Sequence, residues 1–269
     1  MASGELQPTV LVRGSGDVGS AVAHALFAAG FGVLICDVPL PAAPRRGMAF
    51  ADAIFDGACV LEGIEARRAD AIAELPAAVA ERQAIPISTA EIAAVLEAVA
   101  PAVLVDARMR KRAQPERQRD LAPLTIGLGP GFVAGETVDL GVETLWGERL
   151  GEVLRSGATR ALEGEPRSFA GHGRERFVYA PVAGVMRTGA QIAQHVRAGE
   201  PIATIGAAEL LAPLDGILRG LTHDGVPVEA GTKVLEVDPR GKRKAVIGIG
   251  KRPRQIAEGV LRAVQSGGC

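Results

Sequence analysis

The residues best suited to chemistry form a glycine-rich motif near the start of the chain, Gly14-Ser15-Gly16-Asp17-Val18-Gly19. The motif follows the apolar run TVLVR, which predicts a strand, and it opens an alanine-rich segment that predicts a helix. Its three glycines permit a tight turn, close approach of the backbone to a pyrophosphate, and packing of the helix on the strand. Because the helix N-terminus also offers free N–H donors to phosphates, the motif predicts a nucleotide site.

A carboxylate follows the second predicted strand. Asp37 lies 18 residues beyond Gly19, where it would accept hydrogen bonds from the two ribose hydroxyls of an adenosine and repel a 2′-phosphate. Together, the glycine-rich motif and Asp37 favour NAD, or another nucleotide or dinucleotide, as the cofactor. The alternative is a turn that keeps its glycines for packing and binds nothing.

A second glycine-rich loop follows the predicted strand LAPLTI and contains Gly127, Gly129, Pro130 and Gly131. Ligands of open parallel sheets bind beyond the carboxyl ends of the strands, so we expect these glycines to border the same crevice as the first motif. The alternative is a rigid turn, in which Pro130 restricts one backbone angle and the glycines permit others.

Basic side chains follow two of the predicted strands. Arg45 and Arg46 come after the proline-rich loop behind Asp37, and Lys111 lies in an arginine-rich run that begins after Asp106. Guanidinium groups suit phosphates, carboxylates and oxyanions, so Arg45, Arg46 and Lys111 are candidate anion ligands. The alternative is a solvated, charged surface.

Catalytic residues stay unknown at this stage. The sequence contains neither GxSxG nor HExxH, and Ser15 and Ser20 have no histidine at a spacing that predicts a nucleophile and its base. The spacing of the histidines and the three cysteines predicts no metal site. Whether the protein is an enzyme is left open by the sequence.

The first 145 residues alternate short β-branched runs with alanine-rich stretches, a rhythm typical of a parallel sheet covered by helices. They predict a Rossmann-like, nucleotide-binding α/β domain over 1–145. An amphipathic helix at 251–265, after a short predicted strand at 245–249, indicates that the segment 245–269 returns to this domain. The predicted strands are 9–13, 32–36, 84–87, 102–105 and 121–126, the predicted helices are 17–29, 69–82 and 89–99, and a hairpin is predicted at 58–68.

The region 146–244 is predicted to be a second domain, rich in β-structure, and it repeats itself. APVAGVMR at 180–187 returns as APLDGILR at 212–219, and VRAGEPIATI at 196–205 returns as VEAGTKVLEV at 228–237, both at an offset of 32 residues. The repeats 180–205 and 212–237 resemble the two halves of the barrel-sandwich hybrid of biotinyl and lipoyl carrier domains. The hairpin expected at 206–211 holds no lysine, so we expect no biotin or lipoate attachment.

Composition excludes several classes of protein. Of the 269 residues, 30 are Lys or Arg and 31 are Asp or Glu, a balance without the basic footprint that nucleic acids or membrane surfaces require. Three widely spaced cysteines fit a reducing compartment, and the first residues do not resemble a secretory signal. We therefore expect a cytoplasmic protein with neither nucleic acid nor membrane as its partner.

Several longer stretches resemble a known bacterial family. These stretches are VLVRGSGDVGSAVAHALFAAGF, APRRGMAFADAIFDG, VLVDARMRKR, LAPLTIGLGPGFVAGETVDLGVET and APLDGILRGLTHDGVPVEAGTKVLEVDPRG. They resemble the selenium-dependent molybdenum hydroxylase system proteins, whose first domain is similar to the Rossmann part of the XdhC accessory proteins. The resemblance covers nearly the whole chain. It implies an accessory protein in the maturation of a molybdenum hydroxylase of the xanthine dehydrogenase type.

Three functions are therefore weighed. The first is maturation of a molybdenum hydroxylase client by a protein that binds a nucleotide, such as molybdopterin cytosine dinucleotide, in the crevice. The second is a small NAD-dependent oxidoreductase, for which Lys111, Asp106 and His24 are the available proton donors. The third is a scaffold with an empty Rossmann site. A homo-oligomer, the client enzyme and the role of selenium are left open by the sequence.

Overall fold

The fold is given by a computed structural model that describes residues 8–110, 114–161 and 166–267. Among these residues, nine strands form one large sheet in the order β10-β9-β7-β6-β1-β2-β5-β4-β3. Its strands are β1 (Thr9–Arg13), β2 (Gly32–Cys36), β3 (Ala58–Leu61), β4 (Ile64–Arg68), β5 (Ile85–Ser88), β6 (Val103–Asp106), β7 (Leu124–Leu128), β9 (Leu140–Val142) and β10 (Val153–Leu154).

Helices cover both faces of this sheet because successive side chains of its buried strands point to opposite faces. Val10 and Val12 of β1 face a core shared with three helices, while Leu11 faces a second core under two others. The helices are α1 (Asp17–Ala28), α2 (Asp52–Asp56), α3 (Leu75–Glu81), α4 (Ile92–Val99) and α5 (Lys251–Ser266). The first core lies under α1, α2 and α5, and the second under α3 and α4.

The remaining strands form smaller sheets, all antiparallel. One pair joins β8 to β11, and two four-stranded sheets have the orders β12-β19-β17-β14 and β16-β15-β13-β18 within the described residues. These strands are β8 (Val133–Ala134), β11 (Gly157–Ala158), β12 (Phe177–Tyr179), β13 (Gly184–Arg187), β14 (His195–Val196), β15 (Pro201–Ile205), β16 (Ala208–Leu211), β17 (Gly216–Leu221), β18 (Pro227–Val228) and β19 (Lys233–Asp238).

The 32-residue repeat has a counterpart in the hydrogen bonds of these sheets. The Met186 N–H donates to the Val226 carbonyl, and 32 residues later the Leu218 N–H donates to the carbonyl of Gln194. Strand β13 of the first copy thus pairs with β18 of the second, and β17 of the second pairs with β14 of the first. Neither copy could bury its apolar face alone, so the two copies exchange strands.

The predicted fold class, a Rossmann-like parallel sheet joined to a barrel-sandwich hybrid, is corrected. The large sheet is mixed: β3 pairs antiparallel with β4, and β10 pairs antiparallel with β9. The turn Glu62–Gly63 is far too short for the crossover that parallel pairing needs, and the connection 143–152, all of it described, contains no helix. The region 146–244 is likewise divided, because β10 and β11 pair with strands of the first region.

The segment that follows β2 contacts the antiparallel sheets, because the Leu221 N–H donates to the Pro44 carbonyl at 2.7 Å. The strand predicted at 245–249 is not formed: a 3₁₀ turn ends at Ala245, Gly248 has a φ of 82°, and the Gly248 N–H donates to the Gly47 carbonyl at 2.9 Å. Among the described residues, no helix is both long and apolar enough to cross a membrane.

Candidate functional site

The first glycine-rich loop connects β1 to α1 in a conformation that depends on two of its glycines. Gly14 has a φ of 105°, and a Cβ there would lie 3.1 Å from Arg108 Cα. A Cβ on Gly19 would lie 2.0 Å from the Gly14 carbonyl oxygen, so only glycine lets α1 pack this closely. A Cβ on Gly16 would meet nothing within 4 Å, so the protein itself does not require glycine there.

Asp37 turns its carboxylate toward this loop. Its Oδ2 accepts hydrogen bonds from the Ser15 N–H and the Ser15 hydroxyl, both at 2.6 Å, and its Oδ1 accepts one from the Val38 N–H at 2.8 Å. The structure therefore brings the predicted carboxylate and the predicted loop together. The contact is made within the protein itself, and it fixes the shape of the loop.

The second glycine-rich loop lies at the same edge of the sheet. In the register of the central strands, Arg13 is beside Asp106, and Asp106 is beside Gly127. A Cβ on Gly127 would lie 2.3 Å from the ring of Phe132, so glycine makes room for that ring. Gly129 and Gly131 have φ angles of 100° and 90°.

Described residues that follow β6 contact both loops at this edge. The Arg108 backbone packs against Gly14, and a Cβ on Gly131 would lie 2.9 Å from Pro115 Cδ. Gln118 is anchored beneath, because its N–H donates to the Thr137 carbonyl at 2.8 Å. We call the groups that meet here the edge cluster: Arg13, Asp106, Arg108, Arg110, Glu116 and Gln118.

Arginine side chains of the edge cluster converge on one carboxylate. Arg13 Nη1 lies 3.1 Å from Glu116 Oε1, and Arg108 Nη2 lies 2.5 Å from the same oxygen. Arg110 Nη2 donates to the other oxygen, Oε2. Burial opposes ionisation of Glu116, but hydrogen bonds from Arg108 and Arg110 outweigh it and hold the pKa of this carboxyl well below its usual range.

Asp106 is the buried member of the edge cluster. Its carboxylate accepts hydrogen bonds from the Arg108 side chain and backbone and from the Gln118 amide. Burial alone would raise its pKa, but the bonds and charge of Arg108 lower it. Asp106 is therefore an ionised, fully engaged carboxylate rather than the proton donor that an oxidoreductase would need.

Two of the predicted anion ligands, Arg45 and Arg46, are engaged elsewhere. Arg45 bridges two regions, with Nη1 2.8 Å from Asp17 and Nε 2.9 Å from Glu236. Arg46 pairs with Asp52 at 2.6 Å. Both guanidinium groups are thus occupied by carboxylates of the protein itself, and Lys111 lies outside the described residues.

Sequence reasoning missed Arg13, Glu116 and Gln118. The pattern predicts Arg13 only as the end of a strand, and the stretch QPERQRD carries no recognisable motif. The available signal was the alternation of basic and acidic side chains between β6 and β7, which indicates ion pairing but not the partners. In the described part of the chain, no group of three or more His, Cys, Asp or Glu side chains could hold a metal ion.

Comparisons with known proteins give a relative without a named activity. No protein-family model matches the chain. The protein named "Uncharacterized protein YqeB" of Escherichia coli (strain K12) is 40% identical over 255 residues, which are 95% of this chain and 47% of that protein. The chain thus spans about half the length of the curated relative that it matches.

Two solved structures illustrate the matches among known folds. A succinylglutamate desuccinylase/aspartoacylase from Rhodobacter sphaeroides is 13% identical, with coverage of 86% of this chain and 85% of that one and a TM-score of 0.24. The product-bound ectoine utilization protein EutE (DoeB) from Ruegeria pomeroyi is also 13% identical, with coverage of 86% and 85% and a TM-score of 0.25. TM-scores of this size do not establish a common fold.

These findings correct the predicted family and function. The relative is named without a function, and the matched structures are named as a desuccinylase/aspartoacylase and an ectoine utilization protein. The comparisons therefore do not support an accessory protein of molybdenum hydroxylase maturation with a Rossmann nucleotide crevice. The alternatives, an NAD-dependent oxidoreductase and a scaffold with an empty Rossmann site, depended on the same fold prediction and are withdrawn with it.

Proposed function

We propose that the protein binds a small anionic molecule at the edge cluster, between its two glycine-rich loops. The observation that carries the proposal is the convergence of Arg13, Arg108 and Arg110 on one point above the carboxyl ends of β1 and β6. Guanidinium groups are the side chains best suited to paired hydrogen bonds with phosphate or carboxylate oxygens.

The surroundings of the arginines support this proposal. Arg13 is mostly buried, and Arg108 and Arg110 are partly buried, so their charges are less screened by solvent than those of a surface cluster. The second glycine-rich loop packs against the same segment, since a Cβ on Gly131 would lie 2.9 Å from Pro115 Cδ. A ligand at this edge would therefore meet cations on a segment that is held in place by its neighbours.

The ligand class is defined by its anionic group. NAD and other nucleotides carry phosphates and belong to this class, and the nucleotide cofactor and the cytoplasmic location stay predictions from the sequence. The free thiols of the buried Cys36 and the partly buried Cys59 are compatible with a reducing compartment. No catalytic role is assigned to any residue of the edge cluster.

Thermal unfolding with a ligand panel tests the proposal. The panel contains inorganic phosphate, glycerol 3-phosphate, succinate, acetate and NAD at one fixed ionic strength. A ligand at 100 times its Kd stabilises the folded protein by about 2.7 kcal/mol, so at least one of these anions is expected to raise the Tm by several degrees.

Arg110→Gln is the variant for this test, because Arg110 is the most exposed arginine of the edge cluster and its loss leaves the Arg108 pair with Asp106 intact. Arg149→Gln is the matched control, since Arg149 is an exposed arginine that pairs with Glu152 and not with Glu116. We expect the Tm shift to shrink in Arg110→Gln and to persist in Arg149→Gln. Equal shifts in both variants would place the bound anion elsewhere and overturn the proposal.

A further inference from the structure

In the free protein, the arginines of the edge cluster bind Glu116, a carboxylate of the protein itself. Glu116 is 46% exposed, whereas the arginines that bind it are 12%, 23% and 33% exposed. The carboxylate thus reaches from the solvent side into a pocket of cations that lie deeper than it does. This is the arrangement expected of a ligand group rather than of a member of the core.

The neighbours of Glu116 are anchored on both sides. Pro115 packs against Gly131, and the Gln118 amide donates to Asp106 beneath it. The backbone therefore holds its course across the sheet edge when the Glu116 side chain turns away. Exchange of this carboxylate for another anion needs a side-chain rotation and no opening of the segment.

The charge of the edge cluster indicates which anion would replace it. Among the described groups of the cluster, three guanidinium groups face two carboxylates, and only Asp106 is buried, at 2% exposure. When Glu116 leaves, Asp106 still balances one arginine and two positive charges stay unbalanced. A monoanion would restore only the present state, in which one positive charge of the described groups stays unbalanced, whereas a dianion would cancel both charges.

From this geometry we infer that the edge cluster is a site for a dianionic group, a phosphate monoester or a pair of carboxylates, and that Glu116 occupies it in the free protein as an exchangeable internal ligand. The inference rests on the proposed function and adds the ligand class and a built-in competitor. Glu116 is ionised at neutral pH, because its arginines keep its pKa low. It therefore competes as an anion under the conditions in which a ligand would bind.

Competition of this kind lowers the apparent affinity in proportion to the fraction of molecules whose site is open. If Glu116 fills the site in about nine molecules of ten, its removal tightens binding about tenfold. Isothermal titration of wild type and Glu116→Gln with glycerol 3-phosphate and with succinate measures this change directly. Glu152→Gln is the matched control, because Glu152 is also 46% exposed and is bound by an arginine elsewhere.

The expected result is about tenfold tighter binding of a dianion by Glu116→Gln than by wild type, with Glu152→Gln unchanged and acetate much weaker. Preference for glycerol 3-phosphate identifies a phosphate monoester as the source of the charge, and preference for succinate identifies a dicarboxylate.

Unchanged or weaker binding by Glu116→Gln, with binding still lost in Arg110→Gln, would overturn the internal-ligand inference and leave the proposed function standing. Equal affinity for acetate would overturn the dianion assignment, and no binding by either protein would overturn both proposals.

Discussion

Two carboxylates in this protein are each surrounded by several cations, and they differ in depth. Glu236, on strand β19, is fully buried, whereas Glu116 lies in the loop between β6 and β7 and is about half exposed. The distances from the carboxylate of Glu236 to its cations are 2.9 Å for Arg45, 3.0 Å for Arg176, 3.3 Å for Arg219 and 3.2 Å for Lys233.

The difference in depth separates a structural ion cluster from a binding site. Removal of the charge of Glu236 would take one carboxylate away from the buried guanidinium groups of Arg176 and Arg219, and buried charges that lose a partner are costly. Solvent can replace Glu116 as soon as its side chain turns outward. The same pairing of carboxylate and arginine thus holds the fold together in one region and leaves an exchangeable position in the other.

Glu236 also connects the two regions of the molecule. Arg45 donates to both Asp17, in the first turn of α1, and Glu236, on β19. Nearby, Phe55 of α2 stacks on His223 with ring centroids 4.0 Å apart. The first glycine-rich loop is therefore attached through Asp17 and Arg45 to the antiparallel sheets, which explains why Arg45 serves the fold rather than a ligand.

The largest effect is expected for Glu236→Gln, which keeps the volume of the side chain and removes its charge. Loss of one partner from a buried ion pair costs about 3–5 kcal/mol, and we expect the free energy of unfolding to fall by that amount. Urea denaturation of the variant and wild type measures the difference. Glu152→Gln is the control, because Glu152 is an exposed glutamate paired with Arg149 and its loss should change the free energy of unfolding far less. An equally small loss in Glu236→Gln would remove the distinction between the two clusters.

Acid should destabilise the protein through the buried cluster. Burial alone would raise the pKa of Glu236, but the charges of Arg45 and Lys233 outweigh it, so its pKa in the folded protein lies well below that in the unfolded chain. A depressed pKa contributes stability above the unfolded-state pKa of about 4.3, and that contribution is lost as pH falls through the folded-state pKa.

The measurement is the free energy of unfolding of wild type and Glu236→Gln between pH 7 and pH 3. We expect the difference in the free energy of unfolding to be constant near neutral pH and to shrink below about pH 4. In that range Glu236 of wild type becomes protonated in the unfolded chain but stays ionised in the folded protein. Asp17 and Asp106 have lowered pKa values in both proteins and give both curves a common decline. A difference that widens toward acid would mean that Glu236 is protonated in the folded protein.

Much of the sheet could be predicted from local pattern, because its strands are short apolar runs beside amphipathic helices. The predicted strands at 9–13 and 32–36 coincide with β1 and β2. The helix predicted over 69–82 is regular only from Leu75, since a 3₁₀ turn precedes it and Pro76 stands in the first turn. The mixed character of the sheet was not predicted, because it depends on how hairpins attach at the edges.

The candidate site was predictable only in part, for a physical reason. Glycine loops are visible in the sequence because their backbone geometry demands a residue type, as at Gly14 and Gly19. Ion pairs carry no such local demand, since Arg13 and Glu116 are 103 residues apart and meet only because β1 and β6 are neighbours. The same holds for Arg45, whose partner Glu236 is 191 residues away.

The smallest effect on stability is expected for Glu116→Gln, and its dependence on salt sharpens the comparison. Exposed ion pairs contribute about 1 kcal/mol or less, so the variant should lose no more than that at low ionic strength. Because the uncovered arginines repel one another across solvent, the loss should shrink as added salt screens them. The buried cations around Glu236 are screened far less, and the loss in Glu236→Gln should change little over the same range. Urea denaturation of both variants at 20 mM and 500 mM sodium chloride makes the comparison, and a large, salt-independent loss in Glu116→Gln would make Glu116 a structural anchor like Glu236.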